Sequence, residues 1–471
     1  MKIIRKMASA LLVVGFLGLI IPGFAAAEKK VKCDKGQSVQ KELDKLDGPE
    51  TIVVTGTCHE YLEIKTDDVT IQGGNYQPPS TPVPDRSIIW VRGARRVLIT
   101  GVTVTGGYNG IVVGQGGSLT LDGNSTISGA ANNGVVSVFG SSMTVNSSTI
   151  QENVQGVAAA DNSAIVVINS YIQNNTGAGV VVVRSSSARI GQNLFGVQMK
   201  SWITDNGGSG VYIGRSSHAI VDGNTIDNNT STGISIEGGT ATIINNSIRS
   251  NGANGIDIFG EGHARIGITE GNGYAKNYIE NNGRDGVKIS EASNAFLLGN
   301  DIKNNVRNGI GVYRGDCGLI GDNTIQGNQG HGMSISQGRL FQGKGDWPFT
   351  PGPDIITQNG GSGISGWNNA SLDIRLVHVT NNTQHGIALS LQSVLRIYGS
   401  TVSGNTLNGI GLWDGSFLAR YGSDGPRDTI TSNLGWGIYC YPNSHLAGGL
   451  GDNGVSSNSL GQVNCPEAYY P

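Results

Sequence analysis

An alternation of apolar and variable residues recurs along this chain at a nearly fixed interval. The clearest copy is residues 304–312, Asn-Asn-Val-Arg-Asn-Gly-Ile-Gly-Val, and the motif occurs fourteen times in all. After the glycine comes Ile, Val or Met, then a variable residue, then usually another aliphatic residue, which predicts a short strand with one buried side. The repeat glycines are Gly110, Gly134, Gly156, Gly179, Gly210, Gly233, Gly255, Gly286, Gly309, Gly332, Gly363, Gly386, Gly409 and Gly437. Their spacing of 22 to 31 residues predicts a solenoid.

An asparagine stands four residues before the glycine in eleven of the copies. In stacked coils these side chains would hydrogen-bond to one another at the ~4.8 Å strand spacing. Asn also tolerates the left-handed conformation that turns require. We therefore interpret as a structural ladder Asn175, Asn206, Asn229, Asn251, Asn282, Asn305, Asn328, Asn359, Asn382, Asn405 and Asn433.

Coils of about 22 residues that stack parallel strands form a parallel β-helix. The sequence resembles the secreted right-handed parallel β-helix repeat proteins of the pectate lyase-like superfamily, whose coils follow N-x-I-x-x-N-x-x-x-G-I. The resemblance covers roughly residues 50 to 460. It implies an all-β, right-handed parallel β-helix of about 14 or more coils. Because the motif describes the coil and not a site, it implies no specific enzyme.

Residues 1–27 have the features of a cleaved signal peptide. They comprise the basic residues Lys2, Arg5 and Lys6, the apolar segment Leu11 to Ile21, and the small residues Ala25, Ala26 and Ala27. The apolar run is shorter than the ~20 residues that span a bilayer. We therefore expect a secreted or periplasmic protein with no transmembrane segment in its mature chain.

A short amphipathic segment precedes the repeats. Val39, Leu43 and Leu46 are spaced like one face of a helix, and a solenoid needs its open end covered. We assign residues 28–50 to an N-terminal cap and residues 51–471 to one β-helix domain that includes the C-terminal cap.

The cysteines bracket the two ends of the predicted solenoid. We predict the disulfides Cys33–Cys58 and Cys440–Cys465, since an exported solenoid would otherwise fray at its ends. Cys317 is left over, and because no motif places His and Asn or Asp beside it, we expect a structural free thiol.

Charge excludes one class of partner. Without residues 1–27 the chain has 29 Lys and Arg against 35 Asp and Glu, a net charge of −6. Nucleic-acid binding rewards a basic surface, so we exclude it.

Insertions enlarge every third coil. They follow Ile190-Gly191, Ile266-Gly267, Phe341 and Tyr421. We expect these loops to stack on one flank and to wall a binding face; duplication without a function is the alternative.

The second and fourth residues after each glycine are predicted to point outward. In the first coils they form an apolar face: Val112, Val136, Val138, Ala158, Ala160, Val181 and Val183. Such a face is usually covered, here by the Pro-rich loop 77–86 or by a second subunit, so self-association is expected as one outcome.

Aromatic residues occupy the fourth position on many later coils. They are Phe259, Tyr313, Trp367, Trp413 and Tyr441. At the ~4.8 Å coil rise, aromatics on every second coil would lie ~10 Å apart and suit stacking on a polysaccharide. The alternative is that aromatics simply fit strands well.

Charged side chains gather on the same face. The candidate catalytic residues are Glu237, Asp257, Asp285, Lys288, Arg314 and His331. For β-elimination on a uronate, carboxylates would hold Ca²⁺, Lys288 would take the proton and Arg314 would stabilise the anion. Glu237 and Asp257, at ~8 Å, also suit an inverting glycosidase. An ordinary ion pair between Asp257 and Lys288 is the simpler alternative.

Two similarities to known enzymes fail on inspection. Gly330-His331-Gly332 resembles a polygalacturonase motif, but Gly332 is a repeat glycine and the paired aspartates are missing at Gly315-Asp316. The Asp-Pro-His-Asp signature of alginate epimerases is absent. The sequence thus predicts an exported polysaccharide-interacting protein: a lyase acting on acidic polysaccharide, a non-catalytic carbohydrate-binding or adhesion scaffold, or a glycoside hydrolase.

Overall fold

Three parallel β-sheets wind into a single solenoid. The computed structural model describes residues 28–269, 271, 273–342, 351–420, 427–447 and 454–466, so the signal peptide predicted at 1–27 lies outside it. Each coil contributes one strand to each sheet, as in Ile111–Gly114, Ser118–Asp122 and Thr126–Ser128. The next strand, Asn133–Ser137, pairs in parallel with Ile111–Gly114 one coil earlier. The predicted all-β parallel β-helix is confirmed.

Sheet 1 starts at the N-terminus of the described chain. Its 18 strands are Lys29–Lys32, Glu50–Thr55, Val69–Gln72, Val97–Thr100, Ser118–Asp122, Ser142–Asn146, Ala164–Ile168, Ser187–Ile190, His218–Asp222, Thr240–Ile244, His263–Ile266, Asn294–Leu298, Asp316–Gly321, Arg339–Gln342, Ser371–Arg375, Val394–Tyr398, Phe417–Arg420 and His445–Ala447.

Sheet 2 follows sheet 1 in each coil and leads to the repeat asparagine. Its strands are Thr57–His59, Asn75–Gln77, Thr103–Thr105, Thr126–Ser128, Thr149–Gln151, Tyr171–Gln173, Trp202–Thr204, Thr225–Asp227, Ser247–Arg249, Tyr278–Glu280, Asp301–Lys303, Thr324–Gln326, Asp354–Thr357, Val377–Thr380, Thr401–Ser403, Thr429–Thr431 and Gly454–Ser456.

Sheet 3 contains the strands at the repeat glycines. They are Leu62–Ile64, Ile89–Arg92, Ile111–Gly114, Asn133–Ser137, Gln155–Ala159, Val180–Val182, Val211–Gly214, Ile234–Glu237, Ile256–Phe259, Val287–Ser290, Ile310–Tyr313, Met333–Ser336, Ile364–Trp367, Ile387–Leu389, Ile410–Leu412, Trp436–Cys440 and Gly461–Asn464. The solenoid makes about 18 turns. This exceeds the fourteen repeat glycines because three strands of sheet 3 lie outside the repeat set, and because sheet 1 has one further strand at its N-terminal end, Lys29–Lys32. The three strands are Leu62–Ile64, Ile89–Arg92 and Gly461–Asn464.

Close packing explains the repeat glycine. A Cβ on Gly309 would lie 2.3 Å from Cγ2 of Ile325 and 2.7 Å from the carbonyl oxygen of Gly332. Only glycine fits this approach between coils. The next residue, Ile310, points into the core and is fully buried.

The predicted asparagine ladder is confirmed. The side-chain amide of Asn305 donates to Oδ1 of Asn328 at 3.0 Å and to the carbonyl of Ile279 at 3.1 Å. Its own Oδ1 accepts from the backbone and side-chain amides of Asn282, both at 3.0 Å. Each ladder residue thereby ties its coil to the next.

A helix closes the N-terminal edge of sheet 3. Helix α1, Val39–Leu43, buries Val39 and Leu43, and it follows the 3₁₀ helix Cys33–Lys35. The Gln40 side chain donates to the carbonyl of Glu63 and accepts from its amide at 2.7 Å, as a neighbouring strand would. Among the described residues, no helix is long and apolar enough to cross a membrane.

Both predicted disulfides are present, and the fifth cysteine is free. Cys33 is bonded to Cys58, and Cys440 to Cys465. Cys317 is a free thiol, fully buried in the core. Burial raises its pKa far above the ordinary thiol range, so it is a poor nucleophile.

The enlarged loops do not border sheet 3. The first leaves sheet 1 after Ile190 and enters sheet 2 at Trp202, and the second runs from Ile266 to Tyr278. Both therefore project from the corner between sheets 1 and 2, opposite sheet 3. The prediction that they wall the candidate face was wrong; the tips of the third and fourth insertions lie outside the described residues.

Candidate functional site

In the strands of sheet 3, the second and fourth residues after the repeat glycine point to the outside of the solenoid. In Ile256–Phe259 the two isoleucines are buried, whereas Asp257 and Phe259 are half-buried. Parallel register aligns these positions between coils, so that Asp257 faces Ser235 on one side and Lys288 on the other. The outward face is therefore a set of columns running along the solenoid axis.

A groove of about 740 Å³ opens on this face. Four of the predicted residues line it, namely Asp285, Lys288, Tyr313 and His331. Sequence reasoning missed Asn254, Arg284, Arg307 and Asn308, which line it as well. Asn254 and Asn308 occupy the position before the repeat glycine, as Asp285 and His331 do, so extending that column to every polar residue would have found them.

Asn308 connects three groups in the groove. Its backbone and side-chain amides both donate to Oδ1 of Asp285 at 3.0 Å. The same side chain donates to the hydroxyl of Tyr313 at 3.3 Å, and its Oδ1 accepts from the backbone amide of His331 at 3.0 Å. Asp285 is only 2% exposed, and burial raises its pKa although Asn308 opposes the shift.

The ring of Tyr313 lies over Gly311, which has no side chain to fill its place on the outward face. A Cβ on Gly311 would lie 2.7 Å from Cε2 of Tyr313 and 2.8 Å from Oδ2 of Asp285. The absence of a side chain at Gly311 therefore lets the tyrosine ring reach Asp285. Burial, followed by the charge of Asp285, raises the pKa of Tyr313.

His331 holds one fixed tautomer in its neutral form. Its Nδ1 accepts from the backbone amide of Ser362 at 2.9 Å, which leaves the proton on Nε2. Burial lowers its pKa, so the ring stays neutral at ordinary pH and offers an N–H donor.

Asp257 and Lys288 form the ion pair anticipated as the simpler alternative. The Lys288 Nζ lies 3.5 Å from Oδ1 of Asp257, and Asn254 donates to Oδ2 at 2.9 Å. Oδ1 is buried and has no hydrogen-bond partner among the described residues. Burial raises the pKa of Asp257, and Lys288 only partly offsets this.

Glu237 and Arg314 stand apart from the groove. Glu237 accepts a hydrogen bond from the hydroxyl of Tyr212, one coil toward the N-terminus, and burial together with this bond raises the pKa of Tyr212 to about 12. Arg314 is exposed in the turn after Ile310–Tyr313, where its backbone bonds to Ser336 and Ala292. Neither side chain lines the groove.

The aromatic column is less regular than expected. Trp367 is 38% exposed, but Trp413 and Tyr441 lie on adjacent coils and stack on each other with ring centroids 4.6 Å apart. Their facing surfaces are therefore occupied. His385 packs edge-on against Trp413, and burial lowers the His385 pKa to about 4.

The residues present do not fit the expected Ca²⁺ site. In the described part of the chain, the one group of three His, Cys, Asp or Glu ligand atoms close enough to share a metal is Cys33, Cys58 and Glu60. Its two cysteines are joined in a disulfide. Because the groove carboxylates do not converge, we derive no step through a metal.

Comparison with known proteins identifies the fold. The family model for the right-handed β-helix region matches residues 87–213 and 209–345, together more than half of the chain. No curated protein matches the sequence.

Solved structures share the architecture at low identity. A pectate lyase is 16% identical over 60% of this chain and 80% of its own, with a TM-score of 0.37. The A-module of a mannuronan C-5 epimerase from Azotobacter vinelandii is 14% identical over 90% and 98%, with a TM-score of 0.35. A surface adhesin of Streptococcus pneumoniae is 9% identical over 85% and 94%, with a TM-score of 0.25. These values describe the fold and no activity.

Proposed function

This chain belongs to the right-handed β-helix family, and we propose that it is an exported protein whose sheet 3 binds an acidic, uronate-containing polysaccharide. The observation that carries the proposal is the groove, which gathers Arg284, Lys288 and Arg307 beside Tyr313 and His331. Concave sites with a few convergent polar groups are the usual places of ligand binding. The two disulfides support export, because such bonds persist in oxidising compartments.

The two arginines are available to a ligand. Arg284 and Arg307 are exposed, and neither forms an ion pair among the described residues. A guanidinium binds a carboxylate through two parallel hydrogen bonds, so this pair suits the carboxylates of successive uronates. Tyr313 and the Nε2–H of His331 would donate to sugar oxygens.

Binding is tested with purified protein and a panel of polygalacturonate, alginate and a neutral glucan. We expect the acidic polymers to bind and the neutral one to fail, with affinity falling as salt rises. The double variant Arg284→Ala/Arg307→Ala should weaken binding at least tenfold. Arg249→Ala/Arg396→Ala, which removes the same charge from sheets 2 and 1, is the matched control. Equal loss in both variants would mean that only net charge matters.

Elimination is the catalytic form of this proposal, because buried groups with shifted pKa values are gathered beside the groove. A base removes the proton at C5 of a uronate, the C4–O bond breaks, and the leaving oxygen takes up a proton as the C4=C5 bond forms. Lys288 is the proposed base and must first leave its ion pair with Asp257. Arg284 and Arg307, in place of Arg314, would stabilise the anion that forms.

The assay for elimination is the ultraviolet absorbance of the unsaturated product, with and without Ca²⁺. Lys288→Ala should lose the ~10²–10⁴-fold that a general base contributes and keep polysaccharide binding. Full activity in this variant would refute the assignment. Binding without cleavage would support the scaffold alternative.

New reducing ends without that absorbance would support hydrolysis by Glu237 and Asp257. Self-association through the apolar outward residues of the first coils stays a prediction, and it competes with ligand binding at the same surface.

A further inference from the structure

The outward face of the early coils forms an apolar trough, distinct from the polysaccharide groove. Its volume is about 570 Å³. Val136, Ala158 and Val181 form its floor and are only 7%, 5% and 8% exposed although they point away from the core. They are buried because the side walls rise on both sides, so the surface is concave rather than flat.

The trough has two defined ends. Successive strands place Trp90 beside Val112 at one end and Tyr212 beside Val181 at the other. Between these aromatic residues the column holds only Val and Ala. The five coils from Val112 to Tyr212 span four steps, or about 19 Å at the strand spacing. The result is an apolar strip with an aromatic ring at each end.

The walls differ in chemistry from the floor. One side carries amides and a hydroxyl, including Asn109, Gln155 and Ser209, and the other carries Arg184 and Arg215 beyond a row of apolar residues, namely Val138, Ala160 and Val183. The lining contains no carboxylate. Arg184 pairs with Asp161 at 2.8 Å, whereas Arg215 forms no ion pair in the part of the chain that the structure describes. The trough thus has beside it a cation without a salt bridge, because the nearest carboxylate, that of Glu237 one coil away, accepts a hydrogen bond from Tyr212 instead.

We propose that this trough binds a single-chain anionic amphiphile, with the acyl chain along the valine and alanine floor and the head group at Arg215. The acyl chain would lie along this apolar floor, because apolar concave sites are the usual places where apolar ligands bind. The carboxylate of the ligand complements the free guanidinium.

Three other occupants fit less well. The Pro-rich loop lies elsewhere, since Val83 bonds to Tyr61 and Pro78 packs beside Gly106. A sugar would meet aliphatic side chains where carbohydrate sites supply aromatic rings, and the convex side of a second β-helix would not fill a channel. A second copy of the chain is kept as an outcome of the test.

The test uses the full secreted chain and palmitate below its micelle-forming concentration. Binding is measured as the displacement of a fluorescent fatty acid by palmitate. Saturable one-to-one binding is expected. Ala158→Phe fills the floor and should abolish it. Ser365→Phe, at the same column position on a later coil, is the matched control and should bind like the wild type. Val181→Asn, which adds a polar group to the floor, serves if Ala158→Phe does not fold.

The assignment of the head group to Arg215 is tested separately. Arg215→Ala, and hexadecanol in place of palmitate, should each bind roughly tenfold more weakly, while Arg396→Ala should change nothing. Polygalacturonate binding by Ala158→Phe should be unaltered, which separates this site from the proposed function. Absent binding, or palmitate binding retained in Ala158→Phe, overturns the proposal. A dimer in light scattering that Ala158→Phe dissociates would show that a second copy fills the trough.

Discussion

Asp354 is a carboxyl group in a second polar column, at the corner between sheets 1 and 2. The column runs through Asn277, Asn300 and Asn323 and reaches Asp354, whose Oδ1 accepts from the backbone and side-chain amides of Asn323 at 3.1 and 2.7 Å. Gln342 donates to its Oδ2 at 3.3 Å, and the Gln342 carbonyl oxygen has no partner among the described residues. A protonated carboxyl could supply that missing donor.

We expect Asp354→Asn to stabilise the protein at alkaline pH. Burial raises the Asp354 pKa to about 7, whereas an unfolded Asp titrates near about 3.9. Between these two pKa values the folded state keeps a proton that the unfolded state loses. The contribution of Asp354 to the free energy of unfolding is therefore greatest below about pH 4, falls up to about pH 7, and changes no further above that pH. Asparagine keeps the shape without the proton, and its amide can donate to Gln342.

Urea denaturation at several pH values measures this effect. Above about pH 7 the variant should gain ~2–4 kcal/mol, and the gain should vanish near pH 4. Asp373→Asn removes a carboxylate that pairs with Arg375 near the surface and should show no comparable trend. A gain that is independent of pH would contradict the assignment.

Gly311 offers a direct test of the groove. Adding a Cβ would displace Tyr313 and crowd Asp285, while the strand backbone there needs no left-handed conformation. Gly311→Ala should therefore weaken binding of the acidic polysaccharide about tenfold, ~1.4 kcal/mol, with little change in stability. Ser365→Ala, in the same column, should bind normally. Undiminished binding by Gly311→Ala would place the ligand elsewhere.

At the scale of strands and turns, the repeat determines most of the fold. The glycine and asparagine act on nearest neighbours, so the period alone predicts the sheet 3 strands, the inward aliphatic residues and the ladder. The N-terminal coils depart from the period, because Leu62–Ile64 and Ile89–Arg92 lack the glycine. The disulfides were predictable because the four cysteines lie in pairs at the two ends of the region that contains the repeats.

The candidate site was predictable only in part, for a geometric reason. The strand pattern says which side chains face outward, and it put Lys288 and Tyr313 on the face that carries the groove. Asp285 was chosen as the residue before the repeat glycine. The pattern does not say which corner of the coil an insertion occupies, so the loops after Ile190 and Ile266 were assigned to the wrong flank. It also does not follow side-chain direction in turns, which is why Arg314 was included and Arg284 was missed.

An asparagine in the interior of the ladder should contribute more to the free energy of unfolding than one at its end. Removing the Asn305 side chain takes the acceptor from the backbone amide of Asn282 and from one N–H of its side-chain amide, and it takes a donor from the carbonyl of Ile279. The Asn282 side chain keeps only its bond to Ile248, and each buried group left unsatisfied costs ~1–3 kcal/mol. We expect Asn305→Ala to lose at least ~3 kcal/mol in urea unfolding. Asn458→Ala removes the corresponding bonds to Asn433 and Ile430. It lies in the last coil, however, where its outer partner is only Gln462 and water can replace the lost bonds, so it should lose less. Equal losses would show that the ladder is not cooperative.

On the scale of the whole molecule, the solenoid is a one-dimensional stack in which each coil contacts only its neighbours. Stability in such a stack is approximately a sum of coil and interface contributions. Perturbation at one end should therefore stay near that end. The disulfide Cys440–Cys465 ties the sheet 3 strand Trp436–Cys440 to the segment after the last strand, Gly461–Asn464.

We predict that Cys440→Ser/Cys465→Ser frays the C-terminal coils and leaves the rest intact. The bond closes a loop of 25 residues in sequence separation, and constraints of this length contribute ~3 kcal/mol. Hydrogen exchange should accelerate in Trp436–Cys440 and Gly461–Asn464 while Ile310–Tyr313 keeps its protection. Cys317→Ala, which alters the core without touching an end, is the contrasting variant and should affect central coils instead. Faster exchange along the whole chain after loss of the disulfide would mean that the solenoid unfolds as one unit, contrary to the nearest-neighbour argument.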